Sequence, residues 1–406
     1  MSAPRRRAAA AALAVTLALQ MFTSLTATAT SVLAPMIASD LDLSPKLIGV
    51  FVGIIYVGSM AGSLAAGGFV ARFGAIRVSQ AGVLMCAASL AAVCAGAAPP
   101  SALVVLLAVA PLALGLGYGP ITPASSHVLI RTAPPSRMAL TFSIKQTGVP
   151  AGAALAGALL PGFALVQGWR ATYLAIAALG IAIAAIAETT RRDLDADRQR
   201  GRPISIAGVF APLRTVLRTR ALAELAVTGF VYAATQVCLA SFLVIYLTET
   251  LHFGIVAAGL ALTVANIGGI VGRIIWGGTA DRWVPPRVLL GSIGVAAALC
   301  AYATALFGGG WPSSFIFVVC ALFGATAIGW NGVQLAEIAR RSPPGQAGTV
   351  TGASGFITFA GVVFGPPTFA LLAAATGSYR IGFLAFGSAS LLCGLRLLAR
   401  RRRAAR

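Results

Sequence analysis

Residues 56–77, YVGSMAGSLAAGGFVARFGAIR, and residues 266–287, NIGGIVGRIIWGGTADRWVPPR, coincide at six positions when one is slid 210 places onto the other. The pairs are Gly58/Gly268, Gly62/Gly272, Gly67/Gly277, Gly68/Gly278, Arg72/Arg282 and Arg77/Arg287. Four more fall at the same offset outside these stretches: Gly49/Gly259, Arg131/Arg341, Pro134/Pro344 and Arg170/Arg380. Glycine-rich composition does not account for arginines that match between loops. The chain is therefore read as two copies of one unit. Each quoted stretch is an apolar, glycine-spaced run that ends in arginines, the pattern of a membrane span reaching an interface.

The rest of the chain has the same character. Of 406 residues, 58% are hydrophobic and 10% charged, against roughly a quarter charged in soluble proteins, so a water-soluble globule is excluded. A span needs about 20 apolar residues. Twelve such runs start near Ala10, Leu47, Val78, Leu103, Leu140, Ala171, Leu222, Ile255, Val288, Ser314, Thr349 and Ile381. The predicted fold is an all-α membrane protein of twelve transmembrane helices in two parallel six-helix repeats: an N-terminal half over 1–187, an inter-half loop over 188–220, and a C-terminal half over 221–406. The first run, after Arg5-Arg6-Arg7, is read as a retained helix and not as a cleaved leader.

The net charge of +20 comes almost wholly from arginine, with Lys46 and Lys145 the only lysines. Twelve alternating helices put nearly all these cations on one face, which predicts both termini in the cytoplasm. The basic excess is thus read as topology and not as nucleic-acid binding. The six cysteines lie in apolar runs without CxxC spacing, and the two histidines, His127 and His252, fall toward opposite faces. No metal site, cofactor or enzymatic centre is expected, and no Walker-type loop offers direct ATP drive.

A parallel repeat of six-helix units places a pseudo-two-fold axis along the membrane normal, with a cavity between the halves suited to alternating access. Lys145, about seven residues into the fifth helix, and Arg273, on the eighth, are the ionisable side chains at membrane depth. Two readings are open. The long side chains climb to the headgroups, or they face the cavity and bind an anion, Arg273 as a fork and Lys145 as a point charge. Gln146, Tyr232, Gln236, Trp330 and Asn331 sit near mid-span and are the preferred neutral liners, interhelical bonding being the alternative for each.

The chain resembles the major facilitator superfamily of secondary transporters over essentially its whole length. That family's loop between helices two and three has the form Gly-x-x-x-Asp-Arg-x-Gly-x-[Arg/Lys]. Gly67, Arg72 and Gly74 fit the first copy, with Arg77 near the terminal basic position, and the second copy has Gly277, Asp281, Arg282 and Arg287. Ala71 stands where the first copy would have Asp, so the resemblance implies a latch weakened on that side, with Asp281 serving the other. Pro111 stands where many proton-coupled relatives carry Arg on helix four, which speaks against proton antiport. Gly361, Gly365 and Pro366 repeat, on helix eleven, the Gly-Pro spacing that antiporters carry on helix five. The run from Asn266 to Asp281 is similar to the eighth helix of the oxalate/formate and monocarboxylate branches, where a basic residue at the place of Arg273 binds the substrate carboxylate.

These readings together predict a monomeric carrier in the plasma membrane (the inner membrane of a Gram-negative cell) for a small, carboxylate-type organic anion. The alternative is an efflux carrier for drugs or neutral, amphiphilic metabolites on the same fold. Only 8% of the residues are aromatic and six are Met, while the buried charge is positive, so the anion is preferred.

Overall fold

The computed structural model describes residues 3–41, 46–94, 100–199, 201 and 206–399. Arg200, Arg202 and the basic tail from Arg400 to Arg406, counted above for topology, lie outside them. The described structure is helical throughout: α1 (Ala3–Asp40), α2 (Lys46–Phe73), α3 (Ala75–Cys94), α4 (Pro100–Tyr118), α5 (Ile121–Thr132), α6 (Met138–Gln146), α7 (Gly148–Leu194), α8 (Ile206–Arg218), α9 (Arg220–Glu249), α10 (Ile255–Arg282), α11 (Pro286–Ala305), α12 (Ser313–Ala327), α13 (Asn331–Arg341), α14 (Ala347–Thr376) and α15 (Tyr379–Ala399). In hydrocarbon only the helix satisfies each backbone N–H and C=O within its own segment, which is why continuous apolar runs take this form.

Ten of the described segments are long and apolar enough to cross a membrane. One of them, Pro135–Leu194, is 60 residues long, or about 90 Å at 1.5 Å per residue, roughly three bilayer cores. It does not run straight. At Gly168 the backbone turns through φ +82°, a left-handed conformation that glycine adopts without a Cβ penalty.

Contacts divide the chain into two compact units. Unit 1 comprises Met1–Pro134, Lys145–Arg218 and Ser342–Phe356, and unit 2 comprises Pro135–Ile144, Thr219–Arg341 and Ile357–Arg406. The line between them is not a single cut in the central loop, because 135–144 clusters with the later helices and 342–356 with the earlier ones.

Inside unit 1, α2 packs on α4, and α7 packs on both α1 and α3. Inside unit 2, α10 packs on α12 and α11 on α15. The sequence repeat is visible in these pairs. A Cβ at Gly62 would meet the Leu116 carbonyl of α4, and one at Gly272 the Ala325 carbonyl of α12. Without a hydrophobic driving force between helices in lipid, such backbone-to-backbone approach supplies the packing.

The repeat also shows in two interruptions. The ladder of α4 stops at Tyr118 and resumes in α5 at Ile121, while that of α12 stops at Ala327 and resumes in α13 at Asn331. Gly119 and Gly329, one repeat apart, sit in these gaps. Pro120 lacks a backbone donor and accounts for the first gap. The central loop, expected to be one polar break, contains the amphipathic helix α8, and α7 carries its last turns through Glu188 as far as Leu194.

Candidate functional site

Lys145 stands in the last turn of α6, two residues before the ladder pauses at Thr147. Its side chain is 1% exposed, so it has not climbed to an interface. Nζ donates to Gln20 Oε1 on α1 at 2.6 Å, to Gln146 Oε1 at 3.1 Å and to Thr122 Oγ1 on α5 at 3.4 Å. Thr122 in turn donates to Gln20 Oε1 at 3.0 Å. The close approach of α1 and α7 builds this cluster. Gly152 lies against the Met21 carbonyl, and Ser24 donates to the Val149 carbonyl at 2.7 Å, which fixes the register that brings Gln20 to Lys145. The product is a buried ammonium inside unit 1 with amide and hydroxyl oxygens around it.

In unit 2, Arg273 is likewise 1% exposed. Its Nε donates to the Ile328 carbonyl at 3.1 Å, an oxygen at the gap between α12 and α13, where terminal carbonyls leave the helical ladder. Asn331, at the start of α13, donates to Gln236 Oε1 at 3.1 Å and to the same Ile328 carbonyl at 3.4 Å. The interruption therefore gathers Arg273 and Asn331 round one backbone oxygen, with Gln236 joined to Asn331. Trp276, three residues after Arg273, donates to the Ala325 carbonyl at 2.7 Å and pins α10 to α12 just beside the gap.

Tyr232 and Trp330 serve differently. The Tyr232 hydroxyl donates to the Leu290 carbonyl on α11 at 2.9 Å, and Trp330 Nε1 donates to Ala327 O at 2.9 Å. Their rings meet edge to face with centroids 5.6 Å apart. Both polar tips are committed to backbone carbonyls. Gln146 is a neutral candidate that touches Lys145.

The two copies of the signature loop are built with different parts. Asp281 Oδ1 accepts from Ala139 N at 3.0 Å and Oδ2 from Leu140 N at 2.8 Å, while Arg340 reaches Oδ1 at 3.0 Å. A carboxylate here answers the unsatisfied N–H groups and positive dipole end of α6. Gly277 and Gly332 lie against Ser143 nearby. Arg287 pairs with Glu224 at 3.1 Å.

In the first copy Ala71 has no carboxylate to offer, and a more distant one does the corresponding work on α3. Asp195, beyond the end of α7, accepts from Ile76 N at 2.8 Å and Arg77 N at 3.0 Å. Gly74, at φ +97°, leaves room that a Cβ would take from Asp195. Gln199 N donates to the Ala71 carbonyl at 2.8 Å. Asp197 bridges His127 at 2.7 Å and Arg131 at 2.5 Å, and Arg77 pairs with Glu188 at 3.3 Å. The segment 195–199 is thus strapped across the ends of α2, α3 and α5. Arg72 stacks over the Phe73 ring at 5.3 Å, and Gly67 lies against Thr349 at the start of α14.

Sequence reasoning did not single out Thr122, Asp195 or Asp197, nor the Ile328 carbonyl. Gly119-Pro120 and Gly329 were the available signals for the interruptions. Nothing in the local sequence marks Asp195 over Asp193. Among the described residues, no group of three or more His, Cys, Asp or Glu is placed to hold a metal ion.

The family model of the Major Facilitator Superfamily matches residues 16–366. Among curated proteins, the "Probable nitrate/nitrite transporter NarK2" of Mycobacterium tuberculosis, in two strains, is 28% identical over 226 residues. That alignment takes in 54% of this chain and 53% of the relative, so the chain spans about half the length of the curated relatives it matches. Among solved structures, a variant of the E. coli fucose:proton symporter FucP superposes with a TM-score of 0.73 at 16% identity, covering 96% of this chain and 98% of that one. The human organic anion transporter MFSD10 superposes with a TM-score of 0.75 at 15% identity, covering 98% and 100%. At such identities the likeness is one of fold.

Proposed function

From the premise that the chain belongs to the Major Facilitator Superfamily, whose members are transporters, we propose that it is a secondary carrier moving a small anion of the carboxylate type by alternating access. Its ten apolar helices make it an integral, multi-pass protein of the plasma membrane. In this reading the long Pro135–Leu194 segment counts as two spans and α4 with α5 as another, which gives twelve, in two parallel six-helix units with cytoplasmic termini.

One observation carries the substrate class: each unit buries a cation among its helices, Lys145 in one and Arg273 in the other, both 1% exposed, while the buried carboxylates Asp195, Glu224 and Glu337 are engaged by backbone N–H groups or by arginines. Cations at membrane depth are costly and are kept where they work. Arg273 is anchored through Nε, and a guanidinium so oriented matches the two oxygens of a planar oxyanion. The name of the mycobacterial relative, a nitrate/nitrite transporter, supports an anion, as does the likeness of 266–281 to the carboxylate branches. Lys145 supplies a point charge beside Gln146 in unit 1, and Arg273 shares the Ile328 carbonyl with Asn331, itself bonded to Gln236, in unit 2.

The test is a thermal-shift screen of the purified protein against formate, oxalate, larger monocarboxylates, nitrate and cationic amphiphiles. A ligand at about a hundred times its Kd raises stability by roughly 2.7 kcal/mol. Stabilisation by a carboxylate, lost in Arg273→Gln and in Lys145→Gln, is the expected result, and both variants abolish transport in vesicles. Stabilisation by nitrate alone would move the substrate to inorganic oxyanions. A response only to cationic or neutral amphiphiles would replace the anion carrier with an efflux carrier.

A further inference from the structure

Helix α8 (Ile206–Arg218) has two unlike faces. Pro212 and Val216, four residues apart, are buried, and the helix packs on α2. Phe210 and Leu217 are 54% and 59% exposed, and Arg214 and Arg218 are exposed as well. Positions 210, 214, 217 and 218 follow the i, i+4, i+7, i+8 spacing of one helical face. Large apolar side chains and cations therefore alternate along a single exposed stripe.

Two constraints say what meets that stripe. Arg218 precedes by two residues Arg220, where an apolar segment able to cross the membrane begins; at no more than about 3.6 Å per residue, this holds the end of α8 within roughly 7 Å of the start of that segment. From Arg198 to Ala223 the chain carries six arginines and no Asp or Glu. Phenylalanine and leucine on the same face as arginines suit a helix lying in the interface plane, with its apolar groups at the acyl boundary and its cations at the phosphates. Water would leave Phe210 and Leu217 unsatisfied, and a zwitterionic surface would leave the arginines without net attraction.

We propose that the Phe210–Arg214–Leu217–Arg218 face of α8 is a docking surface for anionic glycerophospholipid headgroups of the leaflet beside it. The two arginines supply charge selectivity, and Phe210 and Leu217 supply depth. The experiment is hydrogen–deuterium exchange of the 206–218 amides in the full chain. It compares nanodiscs of pure phosphatidylcholine with nanodiscs containing phosphatidylglycerol. Exchange slows in the phosphatidylglycerol discs and is not slowed by inorganic phosphate added to the phosphatidylcholine discs. Arg214→Gln alone weakens the dependence on phosphatidylglycerol about fivefold, and Arg214→Gln with Arg218→Gln about thirtyfold, as expected for charges at an anionic surface. Unchanged exchange in α3 verifies that the variants are folded. Equal protection in both lipids would overturn the proposal in favour of apolar insertion alone. Protection by free phosphate would overturn it in favour of a soluble-anion site, and a phosphatidylglycerol effect that survives in the double variant would remove the arginines from the explanation.

Discussion

Replacing Asp281 tests whether this carboxylate works mainly on the start of a helix or mainly as half of an ion pair. Its side chain is 3% exposed and accepts from Ala139 N, Leu140 N and Arg340. The two amides belong to the first turn of α6, whose N–H groups have no partner within the helix. Removing a side-chain acceptor from a helix start costs about 1 kcal/mol, so two bonds to one buried carboxylate amount to roughly 2 kcal/mol. The Arg340 side chain is 31% exposed and regains water once released, which limits the pair to about 0.5–1 kcal/mol. Asp281→Ala therefore loses roughly 2–3 kcal/mol, Asp281→Asn, which keeps one acceptor, about half of that, and Arg340→Gln no more than about 1 kcal/mol. Unfolding titrations in mixed micelles, followed by tryptophan fluorescence, read the three values. Hydrogen exchange at Ala139 and Leu140 reads the local effect, which Arg340→Gln leaves almost unchanged. If Arg340→Gln costs as much as Asp281→Ala, the ion pair and not the helix start is what Asp281 maintains.

At Gly324 a Cβ would overlap the Ala265 carbonyl oxygen, whereas one at Gly157 would meet nothing within 4 Å. Gly324→Ala forces α10 and α12 apart and costs about 1–3 kcal/mol, while Gly157→Ala is neutral or stabilising by up to about 1 kcal/mol; paired thermal melts in one detergent decide it, and equal shifts would refute the close-approach reading. The pH dependence belongs to Asp195. Burial raises its carboxyl above the usual 3.8, against the pull of the Ile76 and Arg77 N–H groups and the Arg191 and Arg198 charges. The folded form then holds the proton more tightly than the unfolded one, so this contribution to stability is full below about 3.8 and is lost as pH rises through the raised value. Across that range the stability of wild type falls relative to that of the non-titrating Asp195→Asn as pH rises, and a rise of wild type relative to the variant would show that the bonds from Ile76 and Arg77 outweigh burial.

Much of the architecture was legible in the sequence because hydropathy is additive along a chain. The expected starts near Leu47, Ile255 and Ile381 fall within two residues of α2, α10 and α15, since each span needs only its own apolar length. The 210-residue offset reappears as glycine-mediated packing at Gly62 and Gly272. Sequence also put Lys145 and Arg273 at membrane depth by counting residues, and both are buried. It left open whether they climb outward, because that depends on neighbours it does not name. Gln20 lies 125 residues from Lys145 and Ile328 lies 55 from Arg273. Only the folded chain decides that Lys145 meets Gln20 and Thr122, that Tyr232 spends its hydroxyl on Leu290, and that Asp195, in place of a carboxylate at position 71, completes the start of α3. Hydrophobic length and spacing are properties of one segment and are written in that segment. A hydrogen bond depends on where two distant segments come to lie, which is fixed only when the helices pack.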